Sequence, residues 1–314
     1  MAAERELLEE LRPVAFGIAY RMLGSVASAE DLTQEALLRV HEALARGERI
    51  ASPRAYVSTV VTRLAIDELR SARAQRERYV GEWLPEPLLT GEDADPVHRV
   101  ETTESLSFAF MLLLERLTPQ QRAAFLLREA FGYSHREVAA VLETSEDNAR
   151  QLVARARRHL GEDHARFAAP PERRDELVRR FFAAAEDGDT AALEALLSED
   201  VVLRGDGGGK VPALARAFRG AARVARTLMA WSKVRLRVAG TTLRPAEVNG
   251  GPGVVVEDGA GRVVSVLALV PDGDRVAAVC SVVNPDKLRH LGEVHDFGAW
   301  LQAGLQKNVH GRPL

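Results

Sequence analysis

Residues 134–160, SHREVAAVLETSEDNARQLVARARRHL, carry two apolar stripes at helical spacing with too few residues between them for anything but a tight turn. A short helix runs from Ser134 to about Leu142 and a longer one from Ser145 to about Leu160, which is the helix-turn-helix arrangement. On the second helix Ala149, Leu152, Val153, Ala156 and Leu160 share one face, so Arg150, Gln151, Arg155 and Arg158 point away from the core. Arginine forks and glutamine amides are the groups that read guanine and adenine edges in a major groove. A charged outer face taken alone is a solvated one. The preceding helix and turn shift the reading towards DNA, because the second helix of such a pair is the one presented to the duplex. Glu143 stands in the turn where glycine would sit most easily, and a left-handed conformation there costs roughly 1 kcal/mol.

The rest of the first 165 residues is helical as well. In AEDLTQEALLRVHEAL, Leu32, Ala36, Val40 and Ala43 share a face, with Ser28 as the expected cap. Ser52–Pro53 opens a helix whose second half carries Arg63, Arg70, Arg73, Arg76 and Arg78. Thr118–Pro119 opens another. The formal net charge of −3 conceals an uneven distribution. Residues 63–78 hold five arginines against three acids, and residues 145–160 hold four against two. Between them, residues 79–101 hold six acids and one arginine, with the proline-rich GEWLPEPLLTGEDADP (81–96) reading as a linker that Trp83 and Leu84 can anchor. Two basic helices joined by a tether suit two contacts on one nucleic acid, since effective concentration lets each half bind weakly.

Bulk properties exclude several classes. The longest apolar runs, 108–114 and 263–270, fall far short of a bilayer span of roughly 20 residues. The start, MAAERELLEE, lacks a signal-peptide core, and the single cysteine, Cys280, excludes an intramolecular disulfide framework. The expectation is a cytoplasmic protein with no membrane partner.

After about residue 172 the pattern changes. Helices (RRDELVRRFFAAAED, TAALEALL, RGAARVARTLMAWSKV) precede strand-like runs VRLRVAG, PGVVVEDG, RVVSVLALVPDGD and RVAAVCSVVN, which predicts an α+β domain with a curved antiparallel sheet. Its RGDGGGKV stretch (204–211) resembles a phosphate cradle but fails as one. Arg204 stands where the first glycine belongs, and Val211 replaces the hydroxyl that holds magnesium. Catalysis would need an acid/base pair placed against the sheet, yet His290, His295 and His310 all follow the predicted strands, and no metal-ligand spacing occurs. No enzymatic activity and no cofactor are expected.

In order and spacing, AYRMLGSVASAEDLTQEALLRVHEA, SPRAYVSTVVTRLAIDELRSARA and LTPQQRAAFLLREAFGYSHREVAAVLETSEDNARQLVARARRHL resemble the extracytoplasmic-function sigma factors of bacterial RNA polymerase. The resemblance implies two all-α sigma domains, at 1–80 and 101–166, joined by an acidic linker at 81–100. It makes core RNA polymerase and promoter DNA the partners. By the same likeness, Asp31, Gln34, Glu35 and Leu38 contact the polymerase clamp. Arg63, Arg70, Arg73 and Arg76 hold the downstream element, Tyr79 stacks on an unpaired base, and Arg150, Gln151, Arg155 and Arg158 read the upstream element. Asp67 matches an acidic position of the family or forms an internal salt bridge.

WLPEP (83–87), DGGGK (206–210) and NPDKL (284–288) further resemble the subgroup with a fused SnoaL-like, NTF2-like domain, here 172–314, which controls the sigma domains in cis. That likeness makes Trp83, Asp206, Gly207, Gly208, Gly209 and Lys210 a latch. Asn284, Pro285, Asp286, Lys287 and Leu288 then act on it from the far end of the sheet. A plain glycine turn at 206–210, a small-molecule ligand in the cone, and a conventional helix-turn-helix regulator stay open as alternatives.

Overall fold

The computed structural model describes residues 2–76, 79–91, 106–161 and 171–306. Its two compact units do not follow chain order: Met1–Arg78 joins Ala94–His164, and Tyr79–Asp93 joins Ala165–Leu314. The linker-like stretch that Trp83 and Leu84 can anchor therefore begins as part of the C-terminal unit.

In the helical unit α1 (Ala2–Leu23), α2 (Val26–Ala45) and α3 (Pro53–Arg76) pack on one another. The cap of α2 is Ser25 and not Ser28: the Ser25 hydroxyl accepts the Ser28 N–H at 3.2 Å, because the chain turns at Gly24 and enters the helix immediately. Then come α4 (Phe108–Leu114), α5 (Pro119–Glu129), α6 (His135–Val141) and α7 (Glu146–Leu160). Capping boxes at Thr118/Gln121 and Ser134/Glu137 fix the starts of α5 and α6, each cap contributing about 1 kcal/mol. The two helical stretches touch directly. Arg122 Nε donates to the Arg21 carbonyl at 3.0 Å, the Arg21 guanidinium lies 5.2 Å from the Phe131 ring centre, and the Tyr133 hydroxyl donates to Ser58 Oγ at 2.7 Å.

The C-terminal unit comprises β1 (Leu89–Thr90), α8 (Pro171–Asp187), α9 (Thr190–Ala195), β2 (Leu197–Asp206), β3 (Phe218–Arg219), α10 (Ala221–Arg237), β4 (Thr242–Val248), β5 (Gly251–Glu257), β6 (Val263–Asp272), β7 (Arg275–Val282) and α11 (Phe297–Gln306). The sheet order is β1-β4-β5-β6-β7-β2-β3. It is mixed and not wholly antiparallel: β2 lies parallel to β7, a pairing that needs a long crossover, supplied here by everything from β3 to β6. Leu177 and Phe181 of α8, Leu193 of α9 and Leu228 of α10 bury against Leu203 and Val279 of that pair.

VRLRVAG is not a strand. Val234 and Val238 alternate with polar residues but also lie four apart on a helical face with Trp231, and burial of Val234 beside Trp300 favours the helix. The strand is TLRPAEV, and its proline is tolerated where Pro245 faces Val254.

Candidate functional site

Because β2 and β7 run parallel with Asp206 opposite Val282, both strands release their following residues at one edge of the sheet. Gly207–Lys210 and Asn284–Leu288 therefore converge at one edge of the sheet and do not lie at opposite ends of it. Asp206 is fully buried, and its carboxylate is saturated. Oδ1 accepts the Tyr79 hydroxyl at 2.6 Å and the Gly208 N–H at 3.0 Å; Oδ2 accepts the Leu84 N–H at 2.8 Å and Lys287 Nζ at 2.7 Å. Lys287 also donates to the Leu84 carbonyl, and its ammonium lies 4.3 Å from the Trp83 ring centre and 5.0 Å from that of Tyr79. Asn284 closes the network by donating to the Tyr79 hydroxyl at 2.8 Å and caps the 3-10 turn that begins at Pro285. Leu288 is fully buried beneath it. Lys210 pairs with Asp286 at the surface.

This is a dock for residues 79–91. Glu82 pairs with Arg204 at 2.6 Å and accepts the Ala217 N–H at 3.1 Å, while the Pro87 carbonyl meets the His290 ring at 2.7 Å. The Leu88 N–H bonds Asn249 at 2.9 Å, and Leu89–Thr90 add an edge strand to β4. The glycines are required at the contact itself. Gly208 and Gly209 have φ of +60° and +69°; a Cβ on Gly208 would stand 2.3 Å from Asn284 Nδ2, and one on Gly209 would stand 2.8 Å from Val80 Cβ.

Tyr79 is thus engaged otherwise than as a base-stacking residue, because its hydroxyl and ring are held by Asp206, Asn284 and Lys287. Burial, reinforced by the Asp206 hydrogen bond and charge, pushes its phenol far above the ordinary range. Its hydroxyl is a neutral donor through neutral pH and above the ordinary phenol range. Among the described residues the aromatic on α3 is Tyr56, which lines an open groove of about 490 Å³ with Arg49, Ser52, Thr59 and Arg63.

On α7 the expected apolar residues are buried, and Arg150, Gln151, Arg155 and Arg158 are exposed. Arg150 is held by Glu146 and Asp147, one turn back. On α2, Asp31, Gln34 and Leu38 are exposed, Leu38 at 50%, while Glu35 is half-buried and bonds Arg39 at 2.8 Å. On α3, Arg70 pairs with Asp67 at 3.1 Å, the internal salt bridge left open above. The side chains of Arg73 and Arg76 lie outside the described residues. Arg63 is already occupied: it donates to the Val141 carbonyl at 3.0 Å and the Ala140 carbonyl at 3.3 Å, and pairs with Glu143 at 2.9 Å. It closes the end of α6 at the turn where Glu143 holds a φ of +51°.

A cavity of about 300 Å³ lies within the C-terminal unit, between the sheet, α8, α10 and α11. An Asp–His pair exists in this unit, Asp258 and His295 at 2.7 Å, but it does not line the cavity. Burial alone would raise the Asp258 carboxyl; the Arg262 N–H and guanidinium, the Ala260 N–H and His295 outweigh it and hold it below the usual range. The pair fixes the approach to α11. Cys280 is fully buried in β7, and burial pushes its thiol up to about 12. No group of three or more metal-binding side chains occurs among the described residues, and no described helix is long and apolar enough to cross a membrane.

Comparison with known proteins identifies the two helical stretches. Residues 7–75 match Sigma-70 region 2 and residues 107–160 match Sigma-70, region 4. The chain is 42% identical over 294 residues to the ECF RNA polymerase sigma factor SigJ of Mycobacterium tuberculosis, covering 89% of this chain and 91% of that one. It is 29% identical to the probable ECF RNA polymerase sigma factor SigI of the same species, covering 87% and 91%. The crystal structure of SigJ superposes with a TM-score of 0.72 at 38% identity, covering 90% of this chain and 96% of that one, and its C-terminal domain is likewise the fused SnoaL-like one.

Proposed function

This chain belongs to the extracytoplasmic-function sigma factors of RNA polymerase, transcription initiation factors without enzymatic activity, and on that footing we propose that its C-terminal domain controls promoter use in cis by gripping the connector between α3 and α4. As a member of the family it binds core RNA polymerase and promoter DNA and directs promoter-specific initiation. The proposal concerns how that activity is set.

The carrying observation is the buried Asp206–Lys287 pair closed over Tyr79, Trp83 and Leu84. Those residues belong to the stretch that must run between the downstream-element and upstream-element domains. Released, the connector lets α3 and α6 separate, which frees Arg63 from the α6 carbonyls for a phosphate. On this reading Arg63, Arg70, Arg73 and Arg76 hold the downstream element, and Tyr56, with Ser52 and Thr59 beside it, supplies the stacking surface an unpaired base needs. Arg150, Gln151, Arg155 and Arg158 read the upstream element, and Asp31, Gln34, Glu35 and Leu38 face the polymerase clamp. The site of action is the cytoplasm, where the polymerase is. The apolar cavity is the place for a small-molecule signal.

The test is in vitro transcription with core polymerase on promoters selected from a random library. Full-length protein is compared with a truncation after residue 166 and with Lys287→Ala and Lys210→Ala. Cis control requires that releasing the connector changes initiation, Lys287→Ala more than the surface variant Lys210→Ala. Equal activity of all four forms removes the control, and failure of all four removes the polymerase role.

A further inference from the structure

The cavity and the connector dock are built on the same backbone. Along β2, Gly205 lines the cavity while the next residue, Asp206, holds Tyr79 and Leu84. Along β7 and its extension, Ser281 and Val283 line the cavity and Asn284 holds Tyr79. The loop between repeats the division: Gly208 and Gly209 press on Asn284 and Val80, whereas Pro212, Ala213 and Leu214 form cavity wall. That loop is folded tightly back on itself. A Cβ on Gly207 would lie 2.5 Å from the Val211 carbonyl, and one on Gly205 would lie 3.2 Å from the Leu214 backbone. The two faces of the loop are thus packed closely against each other.

The cavity's chemistry narrows its occupant. At about 300 Å³ it sits at the small end of ligand pockets. Phe181, Leu228, Val254 and Leu267 make its walls apolar, and Trp231 and Trp300 offer flat surfaces. Besides the two indole N–H groups, its polar side chains are three serines and one arginine. The Ser232 hydroxyl already donates to the Ala185 carbonyl at 2.8 Å. Arg235 is different: among the described residues its guanidinium has no hydrogen bond or ion pair, although it lines the cavity half-buried at the end of α10. A guanidinium fork at the rim of an apolar chamber suits one carboxylate or similar anion attached to a ring system.

We propose that the cavity binds a ring-bearing apolar molecule with a single anionic group met by Arg235, and that occupancy tightens the docking of residues 79–91. The coupling rests on the cis-control reading; the binding does not. Ligand and connector both require the loop 207–214 in this one arrangement, so each strengthens the other, and linkage makes the strengthening reciprocal.

The probes are 1-anilinonaphthalene-8-sulfonate and N-phenyl-1-naphthylamine, which share a ring skeleton and differ by the sulfonate. Full-length protein is titrated with each by fluorescence. One-to-one saturable binding is expected, with the sulfonate about tenfold tighter; Arg235→Gln removes that difference and leaves the neutral probe unchanged. Ala185→Phe and Ser265→Phe, on opposite walls, each abolish both while far-ultraviolet circular dichroism stays native. Hydrogen exchange of the 79–91 peptide slows with the anionic probe, and Trp83→Ala weakens that probe several-fold. Absence of saturable binding, or binding that survives both filled variants, overturns the site. Equal affinity of the two probes overturns the anionic class. Binding that changes neither exchange nor the Trp83→Ala affinity overturns the coupling. If Lys287→Ala transcribes like full-length protein while the probes still bind and slow exchange, the control reading fails and the site stands.

Discussion

Lys287 Nζ lies 2.7 Å from Asp206 Oδ2, with side chains 8% and 0% exposed, in contact with a segment some 200 residues earlier in the chain. Breaking such a pair from one side strands a buried charge and costs about 3–5 kcal/mol, whereas replacing both partners with apolar groups costs much less. Lys287→Ala and Asp206→Ala are therefore expected to destabilise the dock by that amount each, and Asp206→Leu/Lys287→Met by clearly less than their sum. A double-mutant cycle on hydrogen-exchange protection of the Leu84 amide reads the difference. Additive losses would show that the two charges act independently.

Gly208→Ala combines a left-handed backbone with a collision on Asn284. Gly188 has a comparable φ of +75° with nothing near its missing Cβ, so Gly188→Ala carries the backbone cost alone, about 1 kcal/mol. Thermal melts of the two variants should separate, Gly208→Ala being lower. Equal melting temperatures would mean that the loop yields to the extra methyl group.

Tyr79 should remain un-ionised when an ordinary phenol, with a pKa of about 10, has lost its proton. A phenol raised by folding contributes stability that is complete below its unfolded pKa and is lost as pH rises towards the folded one. The dock therefore holds through neutral pH and weakens above about pH 10. Difference absorbance between wild type and Tyr79→Phe checks this: no phenolate signal specific to Tyr79 should appear near pH 10 while the fold persists.

Arg63 bonds two carbonyls at the end of α6, which a planar fork does and a point charge does not. Arg63→Ala is expected to cost about 1.5–3 kcal/mol in urea denaturation, with Arg63→Lys recovering only part of it. Glu143→Gly relieves the positive φ at roughly 1 kcal/mol and forfeits an exposed ion pair of about 0.5 kcal/mol, so it should stabilise slightly.

Cys280 should be inert to a thiol reagent at pH 8 in the native protein and react fully in denaturant, since burial raises its thiol to about 12. Reaction of the native form would place the cysteine at an accessible surface.

Most of the helices, the caps of α5, α6 and α7 and the buried stripe of α7 were legible in the sequence because each depends on residues three or four apart, and periodicity and capping hydroxyls report such separations directly. The order of the helical motifs was enough to place the chain in its family. Three features were decided only by the tertiary structure. Residues 79–91 join the C-terminal unit because Asp206 and Lys287 offer a buried charge pair that only a distant segment can close. DGGGK and NPDKL meet at one edge because β2 runs parallel to β7, and strand direction is set by a crossover, not by local pattern. The alternation in VRLRVAG fits strand and helix alike, and burial against α11 chose the helix. Local propensity settles the strongly periodic helices; nonlocal burial of charge and apolar surface settles the ambiguous segments and which elements hold one another.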